Sequence, residues 1–408
     1  IDQDPAGIEG SKVRDDGDRE VWAKPLADGS VAVALLNRSA TSQPMSTTAA
    51  AVGLAGDTTG YRVRDLWAHD STETAGVVGA NVPAHGVALY RVTPIDNPTQ
   101  DPPHTGLYLT GLGTVTGGEP VTATATFTNH GVLPVQSTEL GVSAPQGWRV
   151  RATSPTSFPA VASGRSVHAT FRLTPPEPDR LFPVDELTAT AEGRWHGRLR
   201  WSTSTTVTVP MTSPPVRSPY RTYSSATDAP ARYAQLDDTF GISGAGEDLY
   251  KNADAYTTIY RPGVVTAATT VETTVTGADR LSGFGKAGIL VRDDATASDT
   301  GPEGVILLVS PSGGIQLEWN STGGTRINAV APPNGTIPYT LPVHLRLVRT
   351  AADTYAGYYS LDGAGWHPVG TATVPGQGAV QDAGMFVTSH ATGSPATVRF
   401  TGFTVSSQ

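Results

Sequence analysis

The chain has 408 residues, 38% hydrophobic and only 16% charged, against a typical charged share of about 25%. A net charge of −9 excludes a general nucleic-acid or anionic-membrane binder, since both need a basic surface, and no apolar run approaches the roughly 18 residues of a membrane-spanning helix. With no cysteine, disulfides, thiolate metal sites and cysteine nucleophiles are excluded, and at roughly 150 residues per domain the length predicts two to four domains.

The dominant pattern along the chain is alternation with period two, rich in Val and Thr and bounded by Gly, Pro, Asn and Asp, as half-buried antiparallel strands require. Residues 20–26 and 30–36 flank Ala27-Asp28-Gly29, a hairpin signal because Gly tolerates the positive φ of tight turns. Residues 61–67 and 86–92 read as further strands. Trp22 and Trp67 could be sugar platforms, but core or inter-domain packing is the weightier reading, because aromatic side chains bury large areas. The proline-rich stretch 93–104 predicts a linker. Residues 121–127 and 166–173 alternate again, with Trp148 read as core beside a Gly-supported turn. A second proline-rich stretch follows, and then further short strands through residue 405. The prediction is an all-β chain of three consecutive antiparallel β-sandwich domains at 1–93, 105–212 and 235–408, with a linker at 213–234.

Particular residues carry a resemblance. Asp2-Gln3-Asp4-Pro5-Ala6-Gly7, Glu20-Val21-Trp22-Ala23-Lys24-Pro25-Leu26, Arg64-Asp65-Leu66-Trp67 and His85-Gly86-Val87-Ala88-Leu89 occur in the order found in family 27 glycoside hydrolases, the α-galactosidases, which residues 1–92 resemble. Asp2 stands where that family commonly has Asn. The resemblance implies the antiparallel β-domain that follows the family's catalytic (β/α)8 barrel. Retaining hydrolysis needs two carboxyl groups about 5–5.5 Å apart across the glycosidic bond. The family's nucleophile motif has no counterpart in the sequence, and no βα repetition is present to build a barrel. No catalytic residue is therefore assigned to this chain. The chain opens on Ile1, so it is expected to continue a longer polypeptide or to follow a removed targeting segment.

Thr128-Asn129-His130-Gly131 and Ala144-Pro145-Gln146-Gly147-Trp148 resemble the immunoglobulin-like NEW3 domain that accompanies bacterial α-galactosidases. Lys286-Ala287-Gly288 with Arg292, Tyr358-Tyr359-Ser360 with Asp362-Gly363 and Trp366, and Val387-Thr388-Ser389-His390 are similar to concanavalin-like, laminin-G-like jelly rolls of secreted glycosidases. Such a fold implies carbohydrate binding, with an exposed aromatic stacked on a sugar ring and polar groups satisfying its hydroxyls. Trp319, Tyr358 and Trp366 are the candidates. Trp319 leads because it precedes the polar run Asn320-Ser321-Thr322-Gly323-Gly324, although core packing outweighs binding for each of the three.

Other signals carry less. Gly283-Phe284-Gly285-Lys286-Ala287-Gly288 fits a dinucleotide fingerprint formally, but a strand follows it instead of a helix. Asp15-Asp16-Gly17-Asp18 and Asp293-Asp294 lack the spacing of an EF-hand and read as solvated turns. Asn37, Asn320 and Asn334 stand in glycosylation sequons. No cofactor or metal is expected. The reading is a non-catalytic accessory region of a secreted α-galactosidase-like hydrolase. Its expected partners are the barrel of the same polypeptide and galactose-containing polysaccharide. The alternative is a free-standing carbohydrate-binding or adhesion protein.

Overall fold

A computed structural model describes residues 1–54, 56, 58–97, 101–297, 304–321, 324, 326–333 and 335–407. Among these residues no helix forms, so none is long and apolar enough to cross a membrane, and the named strands pair antiparallel. The chain divides into two compact units, Ile1–Glu177 with Val184–Thr212, and Pro178–Pro183 with Ser213–Gln408.

The first unit holds two sandwiches. In the first, a six-stranded sheet runs in the order Ser11–Asp15, Arg19–Pro25, Val31–Asn37, Val87–Ile95, Gly60–Asp65, Ser71–Thr74, and a two-stranded sheet of Gln43–Thr48 and Val77–Val82 accompanies it. The hairpin predicted around Asp28-Gly29 forms, with Gly29 at φ +81° and a register running from Arg19↔Asn37 to Pro25↔Val31. Alternation sends Val21, Val33, Leu35, Val63 and Val92 inward, where each fully buried side chain contributes about 1.5–3 kcal/mol relative to exposure. Asn37 is buried too, and its amide donates to the carbonyls of Thr41, Val82 and Pro83.

The second sandwich places four strands against four. Ser166–Thr174 and Val121–Asn129 lie centrally in one sheet, and Val135–Ser143 and Val184–Trp195 in the other. Its core gathers Phe127, Leu140, Leu173, Leu187 and Trp195, with Phe127 stacked on Trp201 at 5.0 Å between centroids. Trp148 lies in this core as expected, donating its Nε1–H to Asp185 at 2.6 Å. The stretch 93–104 is only partly a linker. Pro94 and Ile95 complete a strand, while Pro98, Thr99 and Gln100 lie outside the described residues. His104 is 6% exposed, and its main chain joins the two sandwiches, its N–H bonding the Glu73 carbonyl and its carbonyl accepting from His130 N–H.

The second unit is a pair of seven-stranded sheets. Phe240, Ile289, Leu307, Leu317, Leu345 and Phe400 belong to the core between them. A smaller core of Leu249, Tyr256, Leu290, Ile306 and Phe386 lies on the other face of one sheet, with the short hairpin Leu249–Tyr250 and Ala253–Asp254 beside it. Residues 213–234, expected as linker, depart from that reading. Arg221–Ser224 is the edge strand of one seven-stranded sheet, and Arg232–Leu236 is that of the other. The prolines at 214, 215, 219 and 230 flank these strands without entering them, and edge strands tolerate nearby prolines because only one side needs donors. Residues 178–183 also pack here, with the Phe182 ring 4.9 Å from the Arg232 guanidinium.

Candidate functional site

The three aromatic candidates do not converge. Trp319 lies in Gly314–Asn320, between Val305 and Ala329 on the neighbouring strands, and packs half-buried against the inter-sheet core. It shares the parity of Ile315 and Leu317, so alternation carries it inward. The polar loop expected to present it includes Thr322 and Gly323, which lie outside the described residues, as does Asn334. Asn320 is 2% exposed, and among the described residues neither polar atom of its side chain has a partner.

Tyr358 belongs to the other sheet, on its outer face, and Trp366 immediately precedes that sheet's edge strand His367–Thr373. Tyr358 stands opposite Arg346, whose guanidinium lies 3.8 Å from the centre of the Trp366 ring and pairs with the Glu272 carboxylate. One face of the indole is thus occupied by a cation. The Asp362 turn before Trp366 is fixed by Gly365 N–H and Ala364 N–H, with the Ser360 hydroxyl, all donating to one carboxylate oxygen. These bonds, the Gly365 one foremost, hold the Asp362 carboxyl down to about 2.

Two buried charge clusters escaped the sequence reading. Lys286 and Arg292 share a parity in the strand Lys286–Arg292, opposite to inward-facing Ala287, Ile289 and Val291. Lys286 Nζ contacts Asp248 at 2.9 Å and Glu318 at 3.1 Å, and lies 4.8 Å from the Tyr250 ring centre. Burial raises the Glu318 carboxyl to about 7 against the pull of Lys286. Arg292 contacts Asp254 at 3.2 Å and donates to the Tyr256 hydroxyl at 2.7 Å. The only sequence signal was a basic residue at each end of an apolar strand. Among the described residues, no group of three or more acidic or histidine side chains is arranged to hold a metal ion.

On the first unit, Trp22, Ala34 and Leu89 are successive cross-strand partners, as are Leu36 and Val87, on the sheet face opposite the core. Trp67 adjoins them, 62% exposed and donating its indole N–H to the Val87 carbonyl. Lys12, Glu20 and Arg38 form an ion-paired rim beside Trp22. Neither tryptophan is in the core. The face is an apolar strip on an otherwise polar sheet surface.

Residues 16–92 match the family described as "Alpha galactosidase C-terminal beta sandwich domain", and residues 115–191 match "NPCBM-associated, NEW3 domain of alpha-galactosidase". The chain is 38% identical over 95 residues to an α-galactosidase of Cyamopsis tetragonoloba, covering 23% of each protein. It is 41% identical over 95 residues to an α-galactosidase of Coffea arabica, covering 23% of this chain and 25% of that one. Among solved structures, α-galactosidase I from Mortierella vinacea is 26% identical, with a TM-score of 0.22, covering 24% of this chain and 26% of that chain. The matched stretch spans about a quarter of the length of these curated relatives. The chain therefore carries the C-terminal β-sandwich and NEW3 domains of α-galactosidases, which are accessory domains and not the catalytic one.

Proposed function

We propose that this chain is the non-catalytic accessory region of a secreted α-galactosidase-like glycoside hydrolase. The outer face of its six-stranded sheet docks on the catalytic (β/α)8 barrel of the same polypeptide, and its second unit, a jelly roll, engages galactose-containing polysaccharide. The observation that carries the docking is the strip of Trp22, Ala34, Leu36, Val87, Leu89 and Trp67 on a domain homologous to one that follows such a barrel. Apolar surface this contiguous, rimmed by charge, marks a partner interface.

The isolated chain should release nothing from aryl α-galactosides or aryl β-arabinopyranosides; release by material free of contaminating hydrolase would overturn the reading. Docking has its own readout. In a polypeptide with a family 27 barrel ahead of Ile1, Trp67→Asp should lower the melting temperature of the barrel by several degrees. In the chain alone the same substitution, at an exposed position, should leave stability within about 0.5 kcal/mol. Equal loss in both contexts would assign Trp67 to internal stability instead.

A further inference from the structure

The second unit has a surface cavity of about 420 Å³ lined by Tyr223, Ser225, Thr227, Asn252, Asp254 and Arg326, together with Ser224. None of the aromatic candidates from the sequence lines it. We propose that this cavity, and not Trp319, Tyr358 or Trp366, is the carbohydrate site of the unit, taking one neutral pyranose ring; the inference rests on the carbohydrate-binding role proposed above.

The walls are rigid. The Asp254 side chain is only 7% exposed, and Arg292 grips it from two nitrogens, Nη1 at 3.2 Å and Nη2 at 3.5 Å. That fork fixes the carboxyl group in place while leaving lone pairs for hydroxyl donors. The Ser225 hydroxyl donates to the Asp254 carbonyl at 2.8 Å and accepts from Tyr256 N–H at 3.1 Å, which ties the two loops together. Tyr256 packs edge-on against Tyr223, with centroids 6.1 Å apart, so the Tyr223 ring is held in place. Among the described residues the Asn252 amide makes no hydrogen bond, so both its donors and its acceptor are available.

Charge selects the ligand class. The Asp254 carboxylate is already paired with Arg292, so it offers a cation no unmatched charge, while its oxygens still disfavour an anion. A neutral polyhydroxylated ring satisfies both, donating to Asp254 and accepting from Arg326 and Asn252, with its apolar face against Tyr223. The volume falls within the roughly 300–1,000 Å³ of small-molecule sites.

Calorimetric titration of the full chain with methyl α-galactoside and with a galactosylated manno-oligosaccharide tests the site. Saturable binding is expected, weakened about tenfold by Asn252→Ala, the value of one good hydrogen bond, and at least as much by Tyr223→Ala. Asn252 is exposed, so its variant keeps the fold even should Tyr223→Ala not. Trp366→Ala should leave the affinity unchanged. Oligosaccharide binding that survives both cavity substitutions and disappears with Trp366→Ala overturns the cavity while sparing the carbohydrate role. No saturation by wild-type chain with either probe overturns both.

Discussion

His104 shows how one residue couples the first unit to pH. Its Nδ1 lies 2.9 Å from the Thr72 hydroxyl, its Nε2 lies 3.1 Å from the Gly79 main chain, and Tyr90 meets the ring edge-on. Burial, with the His130 ring 6.0 Å away, pushes its pKa down to about 4 from 6.5. The folded state therefore keeps His104 neutral where the unfolded chain takes up a proton. Its contribution is complete above pH 6.5 and is lost as pH falls from there toward 4, by no more than about 3 kcal/mol. Denaturant unfolding of the first unit at pH 7, 5 and 4 should show that decline, and His104→Gln should flatten it. A slope unchanged by the substitution would put the titration elsewhere. Trp22 reads from composition as core or inter-domain packing and Trp319 as the leading binding candidate, yet alternation holds a sharper answer for both. Trp22 alternates with Val21 and Ala23, and Trp319 shares the phase of Leu317, so period two alone indicates which ring faces out and which faces in. Tyr358-Tyr359 presents an aromatic at both phases, so alternation does not choose between them. The cavity groups lie at Tyr223, Asn252 and Arg326, on separate loops and strand ends where no periodicity operates.

At the scale of elements, alternation and turn chemistry made the all-β class and the first hairpin legible, and proline content misled. Residues 213–234 read as linker on their prolines, yet an edge strand needs donors on one side only; Arg221–Ser224 pairs with Thr257–Val265 alone. Glycine was misleading in the opposite direction. Gly288 belongs to a formal dinucleotide fingerprint, yet it sits inside the strand Lys286–Arg292, where a Cβ would overlap the Leu307 carbonyl oxygen and crowd the Leu308 Cα. The glycine allows the two central strands to approach. Gly288→Ala should force them apart, costing about 1–3 kcal/mol. Gly113→Ala, with open space around the added carbon, should stay within about 0.5 kcal/mol. Equal midpoints in urea for the two variants would show that the sheet absorbs the extra methyl group.

At the scale of the molecule, His104 in the first unit and Glu318 in the second respond oppositely to acid. In the second unit Lys286 faces two carboxyl groups, Asp248 and Glu318, so with both ionised that cluster would hold one negative charge in excess. Glu318 is the more buried of the two acids, with 5% of its side chain exposed against 18% for Asp248, and desolvation raises it to about 7 while Asp248 adds repulsion. A folded-state pKa above the unfolded value of 4.5 means that the folded unit holds a proton the unfolded chain has already released. This contribution is fully present below pH 4.5 and is lost as pH rises through 7, the reverse of His104. Hydrogen exchange, corrected for the intrinsic rate and read separately on peptides covering Val121–Asn129 and Lys286–Arg292, separates the units. Between pH 7 and 5 the His104 contribution lowers protection of the first peptide and the Glu318 contribution raises protection of the second. Glu318→Gln, which fixes the neutral form, should remove the rise in the second peptide and leave the first untouched. Protection of the second peptide that falls with acid in the wild type, or that is indifferent to Glu318→Gln, would mean that Lys286 keeps Glu318 ionised throughout.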